Sequence, residues 1–150
     1  MMYIGPNSRN PAPDENPHLD ELIDALRGEM LQYSGLLVML REQEKHILGQ
    51  QPADIVASAG QMSEQLTRVA NARNQREKCM QSYISELDEA LLKRQLSSQA
   101  LGNRRRLLTE LIAQINNLLH EIQDHLKRNH DLLVDTLIPH QKILDRILWN

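Results

Sequence analysis

Between Leu108 and Leu137 apolar side chains return at steps of three and four: Leu108, Leu111, Ile112, Ile115, Leu118, Leu119, Ile122, Leu126, Leu133 and Leu137. That spacing lines one side of an α-helix, whereas a half-buried strand would alternate. A helix with such a stripe gains its stability by laying it against other helices. The rest of the chain has to supply those partners.

It does so twice. Asn16 is suited to cap orphan amides, Pro17 to the first helical position, and Asp20 and Glu21 to the positive end of the dipole, so a first helix is expected from Pro17. Its stripe reads Leu19, Leu22, Ile23, Leu26, Met30, Tyr33, Leu37, Leu40 and Ile47, interrupted by Glu44. Gly49 is expected in the left-handed turn that ends it, with Pro52 opening a second helix and Asp54 in its first turn. So short a connection makes an antiparallel hairpin. The second helix, from Pro52 to near Ser97, carries Ile55, Ala59, Met62, Leu66, Val69, Met80, Tyr83, Ile84, Leu87 and Leu91. At about 46 residues it would span roughly 70 Å. The third starts near Asn103, after turn chemistry at Ser97, Ser98 and Gly102, and returns antiparallel.

Composition agrees with this reading. The chain has 150 residues, no Phe, one Trp and only 3% aromatic residues, which is poor material for sandwiches or parallel sheets. The expected fold is all-α: an elongated antiparallel bundle of three long helices with a short C-terminal helix. Residues 1–16, with Pro6, Pro11 and Pro13, read as a flexible leader, 17–138 as the helical bundle, and 139–150 as an amphipathic tail.

Two places break the apolar pattern. Extending the stepping from Val69 reaches Arg73 and Arg76 before Met80 restores it. Reflecting residue numbers about Gln50 and Gln51 sets Arg73 near Glu29 and Arg76 near Asp24. Two readings are open: arginines with stems packed and heads paired along the rim, or a hinge or polar recognition patch. In the third helix, Asn129 occupies a stripe position where Leu or Ile is expected.

Past Ile138, Pro139 cannot donate an amide and disfavours a helical residue before it, so the helix is expected to stop or kink at Leu137 or Ile138. Ile143, Leu144, Ile147, Leu148 and Trp149 then form a fresh one-faced pattern. This segment either folds back to close the open end of the helices or lies in a partner's groove.

Signals of chemistry are absent from the sequence. His120-Glu121-Ile122-Gln123-Asp124-His125 misses helical zinc spacing by one residue, although Glu121 and His125 share a side. No phosphate-cradling glycine motif occurs, and Cys79 has no base within sequence reach. We therefore expect no enzyme activity, no cofactor and no metal. A net charge of −3 gives no field for nucleic acid, and Arg104-Arg105-Arg106, fanning round a helix, reads as a solvated helix start. A single cysteine and no apolar run near 18 residues point to a cytosolic chain without stable membrane insertion.

The block Leu36-Leu37-Val38-Met39-Leu40-Arg41-Glu42-Gln43-Glu44-Lys45-His46-Ile47-Leu48, the Gly49 to Ala53 break, Ile55, Met62, Leu66, Arg73 to Arg76, and Asn129-His130-Asp131-Leu132-Leu133-Val134-Asp135-Thr136-Leu137 together resemble the FlgN-type flagellar type III export chaperones. The resemblance covers about Leu19 to Leu137. It implies a chaperone that binds the C-terminal helical ends of hook-filament junction (hook-associated) proteins and delivers them to the export gate. It places client contact toward the C-terminus, on Leu132, Leu133, Leu137, Ile138, Ile143, Leu144, Ile147 and Leu148, with Trp149 as the aromatic available to the gate. Gln61 and Met62 stand where many members have a lysine, and the C-terminal region lacks Tyr. The alternative is a structural coiled-coil scaffold that pairs with copies of itself; a weak homodimer is compatible with the chaperone.

Overall fold

The computed structural model describes the backbone of residues 17–93 and 98–149 and the side chains of 17–93 and 101–135. The leader and the Asn16 cap lie outside the described residues. Three helices account for the regular structure: α1, Pro17–Leu48; α2, Pro52–Leu92; and α3, Ser98–Trp149. No strand occurs among the described residues.

α1 begins at Pro17, as the capping signals require, but its end is built differently from the expectation. The amide of Gln51 donates to the His46 carbonyl at 3.1 Å and that of Gln50 to Ile47 at 3.0 Å. Those are the paired bonds of a Schellman turn, whose left-handed residue is the one before the last donor. That residue is Gln50, with φ of 50°, while Gly49 keeps a negative φ. The glycine thus sits one position too early for the strained conformation, and a glutamine adopts it. α2 then opens on Pro52, whose missing amide costs nothing at a first helical position.

α1 is the helix on which the other two pack. Leu19, Leu22, Leu26, Tyr33, Leu36, Leu40 and Ile47 are buried, and Ile23, Leu37 and the partly buried Met30 widen the strip because two neighbours share it. Leu22, Leu26, Leu40 and Ile47 are almost wholly removed from water, worth roughly 2 kcal/mol each. α2 runs opposite to α1, as the pairs Gln32–Gln65 and Glu29–Arg76 show. α3 runs with α1. Asn129 meets Gln43 at a separation of 86 residues, and Ile112 and Leu119 line one cleft with Leu26 and Tyr33 at the same separation.

On α2 the expected face is found in part: Val69 and Tyr83 are buried, and Met62, Met80 and Leu87 pack partly buried against the core. Ser58, Gln65, Val69, Cys79, Tyr83 and Ala90 are buried, whereas Ala59 is exposed and Leu66, Ile84 and Leu91 are about half exposed. α2 has only α1 as a close backbone neighbour, so its buried strip is narrow, and cross-helix hydrogen bonds make polar residues acceptable there. On α3, Leu111, Ile115 and Ile122 are core, but Leu126, expected with them, is 46% exposed.

α2 ends at Leu92, short of Ser97, and α3 begins at Ser98, before Asn103. α3 does not stop at Ile138: it continues through Pro139 to Trp149, and no separate short helix follows. A proline inside a helix removes one hydrogen bond and crowds the preceding turn, at about 3 kcal/mol. Helix-forming residues on both sides carry the element across that cost.

Candidate functional site

The heptad rows are interrupted by polar residues, and most of these meet a partner across the helices. Glu29 of α1 is 1% exposed. Arg76 of α2 grips it with both donors, Nε to Oε2 at 2.9 Å and Nη2 to Oε1 at 3.2 Å. The Tyr33 hydroxyl, one turn along α1, donates to Oε1 at 3.0 Å. Removal from water, then the adjacent Glu29 charge and this hydrogen bond, push the Tyr33 hydroxyl up to about 12. The Arg76 guanidinium is held still more firmly protonated, chiefly by its hydrogen bond to Glu29. Reflection of residue numbers assigned Glu29 to Arg73. It missed by a turn's length because helical side chains lean toward their own N-terminus, which carries the Arg76 head to the Glu29 level.

The other interruptions follow the same rule. Gln65 Nε2 donates to the Gln32 carbonyl at 2.8 Å, and its own oxygen accepts from Arg68 at 3.1 Å. Asn129, 2% exposed, donates from Nδ2 to the Leu40 carbonyl at 2.8 Å and to Gln43 Oε1 at 3.1 Å, which fixes α3 along α1. Glu44 lies 3.5 Å from His125 Nε2 and 3.7 Å from Arg128 Nη1. Arg104 is not part of a solvated start: it is 5% exposed and faces Glu86 of α2 at 3.9 Å, while Arg105 and Arg106 remain exposed. Glu121 pairs with Arg41 at 3.5 Å, His120 is exposed, and no group of metal-ligating side chains forms among the described residues.

Between α2 and α3, above α1, runs an open groove. Leu26, Glu29 and Tyr33 form its floor, Arg73 and Met80 one wall, and Ile112, Asn116 and Leu119 the other, around a cleft of about 350 Å³. One heptad further along the same helical rows, Leu66 of α2 and Leu126 of α3 are 51% and 46% exposed. A larger trough, about 640 Å³, lies on a different side of the α1–α2 pair, where Ala25, Gly28 and Ala72 leave it shallow. Its width comes from missing side-chain volume, whereas the α2–α3 groove presents large apolar side chains.

Leu132 and Leu133 are partly buried on α3. Leu137, Ile138, Ile143, Leu144, Ile147, Leu148 and Trp149 belong to the α3 backbone, and their side chains lie outside the described residues. With α1 ending at Leu48, the Asn129–Gln43 register carries that end to about position 134, so some 15 residues of α3, roughly 22 Å, continue past it. Glu29, Gln65, Cys79 and Arg104 were not among the expected core residues. Stepping the 3-4 pattern back from Leu108 would have found Arg104, and the same stepping from Leu26 toward Tyr33 would have found Glu29. Cys79 is buried, 3.6 Å from Gln75 Nε2.

Comparison with known proteins finds no family model, curated protein or solved structure that matches this chain. No helix among the described residues is long and apolar enough to cross a membrane.

Proposed function

We propose that the chain is a non-enzymatic, cytosolic secretion chaperone of the FlgN type, acting as an elongated three-helix bundle. In this reading it holds the C-terminal helices of hook-associated proteins before flagellar type III export. The observation that carries the reading is the length mismatch: α3 outruns the helix it packs on, and its final stretch bears the apolar pattern of Ile143, Leu144, Ile147, Leu148 and Trp149. A helix end with that pattern and no α1 beside it is the form a helical client can complete. Client contact is assigned to Leu132, Leu133, Leu137, Ile138 and the tail residues, with Trp149 the candidate for the export gate. Docking five Leu-sized side chains would contribute several kcal/mol, at roughly 25 cal/mol per Å², before ordering costs.

Deleting His140 to Asn150 tests this. Helical content and thermal unfolding should stay close to those of the full chain, while co-purification with a junction protein is lost. Retained binding overturns the tail's role. A second reading, a self-pairing scaffold, draws on half-exposed Leu66, Ile84, Ile112 and Leu126. Mass in solution separates the two: a concentration-independent oligomer favours the scaffold, and a monomer or weak dimer that captures a helical client favours the chaperone.

A further inference from the structure

We propose that the groove between α2 and α3 seats a fourth helix supplied by a partner protein, amphipathic with apolar residues at heptad spacing and carrying a carboxylate at the level of Arg73. The proposal deepens the chaperone reading, and rests on it, by adding a second, charge-selective contact away from the α3 tail.

The argument starts from the polar residues in the rows. Glu29, Glu44, Arg76, Glu86 and Arg104 each face an opposite charge on a neighbouring helix. Arg73 is exposed and makes no hydrogen bond or ion pair among the described residues. It also stands in an otherwise apolar row, Ala59, Leu66, Met80 and Leu87 at the same heptad position, so it is the one polar break in that wall of the groove. Glu29 below is already held by both Arg76 donors and Tyr33, so its charge is spent. Among the residues that line the cleft, two guanidinium groups stand against one carboxylate; Glu77 also acts on Arg76 but does not line it. Across from Arg73, α3 offers Asn116 and Leu119, which cannot neutralise it.

The walls set the rest of the occupant. On α2, Met80 and Leu66 stand one heptad to either side of Arg73, and on α3, Ile112 and Leu126 stand one heptad to either side of Leu119, which lines the cleft with Arg73. A helix that presents Leu or Ile, then Asp or Glu, then Leu or Ile at that spacing meets each level with its match. A wholly apolar helix would cover Arg73 without a counter-charge, and a lysine there would repel it.

The test uses the full chain and two synthetic helices of about 21 residues, three heptads of leucine with a central Glu in one and Lys in the other. Binding is read by fluorescence anisotropy of the labelled peptides. The wild-type chain should prefer the Glu peptide by about tenfold or more, and Arg73→Glu should reverse the order. Because Arg73 is exposed and unpaired, that variant should keep its helical circular dichroism. Leu126→Lys should weaken both peptides. The proposal is overturned if neither peptide binds, if Arg73→Glu leaves the preference unchanged, or if sedimentation shows a wild-type dimer that Arg73→Glu splits, which would assign the groove to a second copy. Chain lacking His140 to Asn150 separates the two readings. Peptide preference that survives truncation upholds the groove whatever becomes of client capture. Client capture lost on truncation, with peptides blind to position 73, upholds the tail and removes the groove.

Discussion

The α1–α2 contact and the α2–α3 groove are made from helices with the same heptad rows, yet they differ in how polar residues are answered. Within the first, Glu29 lies 1% exposed and fully engaged by Arg76 and Tyr33, and Gln65 is tied to the Gln32 backbone. Along the second, Leu66, Leu126 and Ile112 stand half in water and Arg73 makes no ion pair among the described residues. The α1–α2 contact engages both oxygens of its buried carboxylate, because an unmatched buried group costs more than its bond returns; the contacts of α3 are less complete, since Arg104 Nε and Nη1, Glu86 Oε2 and Asn129 Oδ1 are buried without a hydrogen-bond partner. A face completed by something else can leave the match to the other party.

The comparison breaks most visibly at Glu29. Glu29→Ala should strand the Arg76 head and the Tyr33 hydroxyl, lowering stability by about 3–5 kcal/mol in urea unfolding. A loss under 1 kcal/mol would mean that the α1–α2 contact is no better matched than the groove. Asn129→Asp comes next, since a carboxylate offers no donor to the Leu40 carbonyl; a loss of about 2–3 kcal/mol is expected by the same measurement.

Alkaline unfolding sharpens the picture on the same network. The folded Tyr33 hydroxyl titrates at about 12 against 10.0 for a free one, so its contribution is complete below pH 10 and disappears as pH rises toward 12. Stability should fall in that window by on the order of 2 kcal/mol more in the wild type than in Tyr33→Phe, followed by circular dichroism at fixed urea. Gln50→Gly, which relieves the left-handed turn, should raise stability by about 1 kcal/mol in thermal unfolding. The smallest effect belongs to the half-exposed face of α2: Leu66→Gln and Ile84→Gln should each stay within about 0.5 kcal/mol of the wild type in urea, whereas core Leu26→Ala should cost 2–5 kcal/mol.

Three helices, their order and the start of α1 at Pro17 were legible because apolar spacing and proline placement act locally. The buried side of α2 was legible only in part: Val69 and Tyr83 fell where expected, but leucine and isoleucine at Leu66 and Ile84 outweigh Gln65 and Ser58 in any apolar count. Only α1, supplying the Gln32 carbonyl, makes the glutamine the better core residue. Gly49 misled for a related reason: residue preference named the glycine, while the hydrogen-bond pattern of the turn selected Gln50. Pro139 marked a stop in sequence terms, yet one lost hydrogen bond did not end a helix of 52 residues. Of the polar residues within the helices, Arg73 and Asn129 were visible as breaks in a stripe. Which break is answered inside the chain depends on three helices at once, so the sequence could not separate them.

The separation of 86 residues between α1 and its companions on α3 also sets an order in time. Gln65 reaches Gln32 across 33 positions, so the α1–α2 pair can close as soon as α2 has been synthesised, before α3 exists. α3 must then find a finished surface, closing a loop more than twice as long. The wall that it contributes is therefore the last piece attached. On the chaperone reading proposed above, a client helix would find its seat only once α3 has docked.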